Sequence, residues 1–175
     1  MRILSIFFLL FILLGCTKDN RVRLFEMVFP NIVFEIPAGV GGSAIPQVYE
    51  LDNLQSNIRF YLNQSGLDTS VITGISPVAA NLTAIDNNAE YDFLREVSIR
   101  ICPRGSATCS PAEEVFYIDN LIGREGTQLR LLPTLINARR MLVQDRFKLE
   151  ILFFFRDITP TRIRTRLDMS FEAVQ

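Results

Sequence analysis

From Ile163 the chain alternates for eleven residues: Ile163, Leu167, Met169, Phe171 and Ala173 fall at every second position, with Thr165 in step, and Arg164, Arg166, Asp168, Ser170 and Glu172 fall between them. A period of two sustained over this length fits a β-strand with one face in a core and one in water, because successive side chains of a strand point to opposite faces. Upstream, Phe147, Leu149, Ile151, Phe153 and Phe155 alternate first with Lys148 and Glu150, then with Leu152 and Phe154. That strand is expected to start half-wet and to end covered on both faces. Asp157-Ile158-Thr159-Pro160 reads as a turn, so the two strands are expected to form an antiparallel pair.

The same period recurs along the chain. Val97, Ile99 and Ile101 alternate until Pro103 stops them, and Val115 to Ile118 is expected to return beside them. Phe25, Met27 and Phe29 form one set and Ile32, Phe34 and Ile36 another; Pro30-Asn31 shifts the register between them, as a bulge or an edge strand does. Val71 to Ile75 and Ala79 to Ile85 are two further candidates, broken at Ser76-Pro77, and Leu129 with Leu131 gives a short one. Two segments have helical spacing. Leu54, Ile58, Tyr61 and Leu62 share a face, with Asp52 or Asn53 as N-cap and Gly66 as the stop. Leu135, Ile136, Met141, Leu142 and Val143 follow Pro133 at a first helical turn, and Tyr91 to Glu96 offers a single turn. Gly39 to Ser43 is the expected flexible loop. Strands with one or two short helices in their connections predict a mainly β protein, an antiparallel β-sandwich.

Composition removes several kinds of chemistry. The 175 residues contain no His, so a Ser-His-Asp triad, a Cys-His pair and His-ligated zinc or haem are excluded. There is no Trp, and Tyr49, Tyr61, Tyr91 and Tyr117 are the only tyrosines, which leaves a carbohydrate groove few stacking platforms. Eighteen basic against 19 acidic side chains lack the positive surplus that nucleic acid requires, so no nucleic-acid partner is expected. Gly39-Val40-Gly41-Gly42 is not a nucleotide-binding G-x-G-x-x-G, and no cofactor is expected.

The N-terminus carries an address. Arg2 precedes an apolar run from Ile3 to Leu14 interrupted only by Ser5. Twelve helical residues reach roughly 18 Å, short of the hydrocarbon core of about 30 Å, so the run reads as the apolar region of a signal peptide. It ends in Leu13-Leu14-Gly15-Cys16, which resembles the lipobox of bacterial lipoproteins. The resemblance implies cleavage before Cys16 and acylation of its thiol, and hence a stable membrane anchor of two or three acyl chains. Thr17-Lys18-Asp19-Asn20 resembles the export tag of Bacteroidota surface lipoproteins, with Asn20 where a second carboxylate is usual. Together these imply an outer-membrane lipid anchor, with the cell surface favoured over the periplasmic face. The mature chain is similar to the small, mostly β surface lipoproteins of that group, a likeness that supplies no catalytic residues. The expected organisation is a signal peptide over 1–15, a lipidated tether over 16–23 and one domain over 24–175.

If Cys16 is lipidated, Cys102 and Cys109 remain, separated by Pro103-Arg104-Gly105-Ser106-Ala107-Thr108. In an oxidising compartment a disulfide is expected at this spacing, with two free thiols as the alternative. Asp86, Glu90 and Asp92, with Asn87 and Asn88, form a polar stretch whose oxygens suit calcium, although the spacing is not that of an EF-hand; a merely solvated loop explains it equally. The same carboxylates are the first place to look for a hydrolase. Arg162, Arg164 and Arg166 project from one strand face as a stripe able to meet phosphates or an acidic envelope protein. The competing reading is a solvent face paired across the strand with Lys148 or Glu150. With no recognisable catalytic constellation, the sequence favours a non-enzymatic binding or structural module of the envelope, and a carboxylate-dependent envelope hydrolase is the alternative.

Overall fold

The structure, a computed structural model, describes residues 21–86, 89–123 and 126–175. Eight strands follow in chain order: β1 (Arg23–Ile36), β2 (Gln47–Gln55), β3 (Gly74–Ala84), β4 (Leu94–Pro103), β5 (Glu114–Ile118), β6 (Gln128–Pro133), β7 (Arg146–Phe155) and β8 (Ile163–Val174). Helix α1 (Ile58–Ser65) lies between β2 and β3, and a single turn, α2 (Arg139–Leu142), precedes β7. The sheet order is β1-β8-β3-β6-β5-β4-β7-β2, antiparallel throughout. Only two residue pairs join β5 to β6, Phe116 with Pro133 and Tyr117 with Leu132. There the sheet curls, so β1-β8-β3-β6 faces β5-β4-β7-β2 as a sandwich with the strand order of a jelly roll.

The alternating apolar sets meet between the halves. Phe29 of β1 packs edge-on against Phe147 of β7 and Phe171 of β8, and Phe116 of β5 also meets Phe171. At the open seam between the edge strands, Phe34 of β1 reaches Tyr49 of β2 and Phe153 of β7. Helix α1 covers more of that seam. Its Tyr61 stacks on Phe25, and the Tyr61 hydroxyl accepts from the Val28 N–H (3.0 Å) and donates to the Val28 carbonyl (3.3 Å). These are groups of an edge strand that no neighbouring strand pairs. The β1 bulge falls at Pro30-Asn31, where Asn31 has φ 59° and its N–H donates to Asp168 Oδ1.

Several expectations need correction. The strands over 147–155 and 163–173 exist, and Ile163, Thr165, Leu167, Met169, Phe171 and Ala173 are all buried, but the two do not pair. β7 lies between β2 and β4, and β8 between β1 and β3, so residues 156–162 cross from one half of the sandwich to the other. Alternation fixes the face of a strand, not its neighbour. The start of β7 is also not half-wet: Lys148 and Glu150 are buried. β3 runs through Ser76-Pro77 with only a register shift, because β6 pairs Ala80 to Thr83 and leaves Pro77 without a partner on that side. Residues 47–55 form a strand, so Leu54 belongs to β2 and α1 starts after Asn57, which has φ 55°; Gly66 ends the helix as expected. Pro133 closes β6 rather than opening a helix, and Leu135 is fully exposed; the single turn expected from Tyr91 is present but shorter, the Leu94 N–H donating to the Tyr91 carbonyl where β4 begins.

Candidate functional site

Antiparallel wrapping sorts the connections between two poles. Of the described residues, segments 37–46, 85–86 with 89–93, 119–123 with 126–127, and 156–162 lie at one end of the sandwich, here the distal pole; β1 begins at the other, proximal pole, where Arg23 pairs with Val174. The distal segments are bonded to one another. Gly39 N–H donates to the Thr159 carbonyl (2.9 Å), while Thr159 donates its N–H (2.8 Å) and hydroxyl (2.7 Å) to the Val40 carbonyl. Gly41, at φ +119°, is required here, because a Cβ would stand 2.5 Å from the Asp157 carbonyl. The segment expected to be a flexible loop is thus clamped to 157–159. Tyr91 N–H donates to the Gly126 carbonyl, and the N–H groups of Arg156 and Asp157 both donate to the Phe93 carbonyl.

Aromatic rings fill the space below. Phe93 stacks on Phe155, which meets Phe153, and Tyr91 lies beside Phe93. The buried Tyr91 hydroxyl donates to Thr165 Oγ1 at 3.1 Å, and burial pushes its pKa up to about 12 despite that bond. Above this filled floor each distal segment exposes one isoleucine: Ile45, Ile85, Ile122 and Ile158.

The carboxylates predicted as a site sit on this pole but do not converge. Asp86 Oδ2 accepts from the Arg164 N–H at 3.1 Å, and its Oδ1 lies 3.8 Å from the Arg164 guanidinium. Glu90 and Asp92 are exposed, and the Asp92 carbonyl accepts from Arg156. Asn87 and Asn88 lie outside the described residues. Among the described residues the acidic and thiol groups that cluster closely enough for a metal are Cys102, Cys109 and Glu113, and the two thiols are joined to each other. The arginine stripe is neutralised. Arg162, just before β8, pairs with Glu35 (2.5 Å), Arg164 with Asp86, and Arg166 with Asp168 (2.8 Å). None pairs with Lys148 or Glu150, which belong to the other half of the sandwich.

Sequence reasoning passed over a buried charge cluster on the outer face of β7. Cys102 and Lys148 are register partners and so share a face. Cys102 and Cys109 are bonded, with Cα atoms 5.4 Å apart, and the loop they close folds over that face. The Lys148 ammonium donates to the carbonyls of Ala107 (2.9 Å) and Ser106 (3.3 Å) and lies 3.0 Å from Glu150 Oε1 and 3.1 Å from Glu50 Oε2. Lys148 is 1% and Glu150 3% exposed. Burial pulls the Lys148 pKa down, and Glu150 and Glu50 outweigh it, leaving the ammonium above its ordinary value. A cation satisfied on every side and capped by a loop is built for structure, since a proton donor in catalysis needs a path to its substrate. The signal for it was present in part: a Lys-x-Glu pair beside a short disulfide loop becomes meaningful only once β4 is known to pair with β7.

Cys16 lies outside the described residues. No helix among the described residues is long and apolar enough to cross a membrane. No family model and no curated protein matches the chain. Among solved structures, a chain of the acidic stable capsid of Helicobacter pylori bacteriophage KHP30 is similar over 85% of this chain and 93% of that one, at 11% identity and a TM-score of 0.32.

Proposed function

We propose that this chain is a lipid-anchored, non-enzymatic module of the outer membrane, favoured on the cell surface, that docks an envelope protein with its distal pole. The observation that carries this reading is the polarity of the sandwich. Val22 and the start of β1 lie at the proximal pole, a few residues beyond Cys16 in the sequence, and four bonded segments at the opposite end each expose an isoleucine above a filled core. Apolar side chains on a preorganised surface suit contact, because little ordering free energy opposes binding. The carboxylates that a hydrolase would require are engaged or dispersed: Asp86 is bonded to Arg164, and Glu90 and Asp92 face solvent. A membrane tether raises local concentration, so a surface of modest affinity suffices.

The test has two parts. Cys16→Ser is expected to release the protein from the membrane fraction; quantitative retention would remove the anchor. Photocrosslinkers at Ile45, Ile122 or Ile158 are expected to capture one envelope protein in intact cells, and one at Val48, on the flank of the sandwich, is not. Turnover of a polysaccharide or peptide by the purified protein, lost on Asp92→Asn, would replace the contact reading with the hydrolase.

A further inference from the structure

The proximal pole carries its own surface feature. Residues 134–138, between β6 and α2, are clamped on both sides. The Thr134 hydroxyl donates to the Glu114 carbonyl (2.7 Å), and Asn137 Oδ1 accepts from the N–H groups of Ile75 (3.1 Å) and Arg139 (3.0 Å). Asn137 Nδ2 donates to the Thr73 carbonyl, and Ala138 N–H to the Ile75 carbonyl. Between these clamps Leu135 is 104% exposed, as fully as a side chain can be. Leu135 and Arg21 line one recess of about 580 Å³. Next to Arg21, Val22 is 59% exposed. A clamped backbone that holds a leucine wholly in water loses hydrophobic free energy for as long as nothing covers that side chain.

Chain length says what covers it. Arg21 stands five residues after Cys16 in the sequence, and five residue steps span at most about 18 Å when fully extended. On the reading that Cys16 is acylated, Arg21 and the recess it lines are held within that distance of the lipid headgroups. We infer that the proximal pole lies on the bilayer, with Leu135 and Val22 inserted at the headgroup–acyl boundary. The anchor then fixes orientation as well as location. Two short apolar contacts beside the acyl chains keep the long axis of the sandwich upright, and the distal isoleucines point away from the membrane. An interfacial side chain enters about 5–10 Å below the headgroup surface, which the tether permits without strain.

The chain has no Trp, so one introduced Trp is the only indole emitter. Lipidated full-length protein carrying Leu135→Trp, and separately Val22→Trp, is reconstituted into phosphatidylethanolamine vesicles doped with brominated phosphatidylcholine. Ile45→Trp, at the distal pole, is the control. The expected result is a blue-shifted emission quenched several-fold more strongly at positions 135 and 22 than at position 45. Two probes keep the test sound if one substitution disturbs folding, which the melting temperature reports. If the lipidated protein floats with the vesicles but both proximal probes match the control, the inference falls and the anchor stands. If Leu135→Trp is already blue-shifted in soluble Cys16→Ser protein without vesicles, a second copy covers Leu135 and the inference falls. If mass spectrometry of the membrane-extracted chain finds no lipid on Cys16, anchor and orientation fall together.

Discussion

At the scale of single residues, the contrast between Phe171 and Lys148 shows what a period of two conveys. Phe171 lies on the apolar face of β8, fully buried against Phe29 and Phe116, and its place could be read directly from the sequence. Phe171→Ala is therefore expected to cost about 3–5 kcal/mol, against less than about 1 kcal/mol for Arg166→Ala, whose guanidinium is partly exposed beside Asp168. Chemical denaturation of the two variants checks this, and equal effects would mean that the buried face is misassigned. Lys148 falls on the polar face of β7 and looks solvated in sequence, yet it is buried because the disulfide loop covers that face. Lys148→Met strips Glu150 of its buried partner and should cost about 3–5 kcal/mol; the added change Glu150→Leu should recover much of the loss. Glu50→Gln should cost little, since Glu50 is half-exposed. Tyr91 makes a pH prediction. Its phenol ionises near 10.0 in the unfolded chain and near 12 in the native one. The resulting stability is complete below pH 10 and is lost as pH rises through about 12, a difference on the order of 2–3 kcal/mol. Tyr91→Phe should flatten the alkaline limb of the stability curve.

At the scale of elements, local signals were legible and partnerships were not. The β4–β5 hairpin could be read because Pro103 stops one strand and two cysteines bracket a loop short enough to staple its end. The β1 bulge could be read because Pro30-Asn31 slips the alternation by a residue. β2 was missed: Leu54 fits a helical face with Ile58, Tyr61 and Leu62, and the exposed β2 edge alternates too weakly to compete with it. The pairing of β7 with β8 was misread for a different reason. A seven-residue connection can turn a hairpin or cross a sandwich, and only the packing of Phe29 between Phe147 and Phe171 decides which. The charge partners of the arginine stripe were misplaced with it: they are Glu35 of β1, Asp86 just beyond β3 and Asp168 of β8 itself, not Lys148 or Glu150 of β7. The staple itself is open to measurement. Closing a loop of about eight residues is worth about 2.5 kcal/mol in the chain-entropy account. Replacing both Cys102 and Cys109 by Ser should lower stability by about that amount. Because the same loop supplies the Ser106 and Ala107 carbonyls to Lys148, combining this change with Lys148→Met should cost less than the sum of the two. Strict additivity would show that the loop stays in place without its bond.

At the scale of the molecule, the wrap that creates two poles also ties the ends of the chain together. β1 begins at Arg23 opposite Val174, and β8 lies between β1 and β3 along its whole length. Its buried side chains, Phe171 above all, also contact the opposite half of the sandwich. Hence the half β1-β8-β3-β6 cannot form until residues near 170 are present, and the other half, built from β2, β4, β5 and β7, has no cover for its apolar face until then. Loop closure over such separations is entropically costly before any contact repays it, so folding should be slow, in the millisecond-to-second range or beyond, and all-or-none. The two-pair junction of β5 with β6 is too slight to let the halves melt apart, because their apolar faces have only each other to cover them. One cooperative denaturation transition is therefore expected, coincident by far-ultraviolet circular dichroism and by tyrosine absorbance. A chain ending at Thr159, which retains seven strands and the disulfide loop, should show no such transition and should expose apolar surface to a hydrophobic dye. A cooperative transition in that truncated chain would mean that β5-β4-β7-β2 folds by itself, and that β8 closes a sandwich already formed.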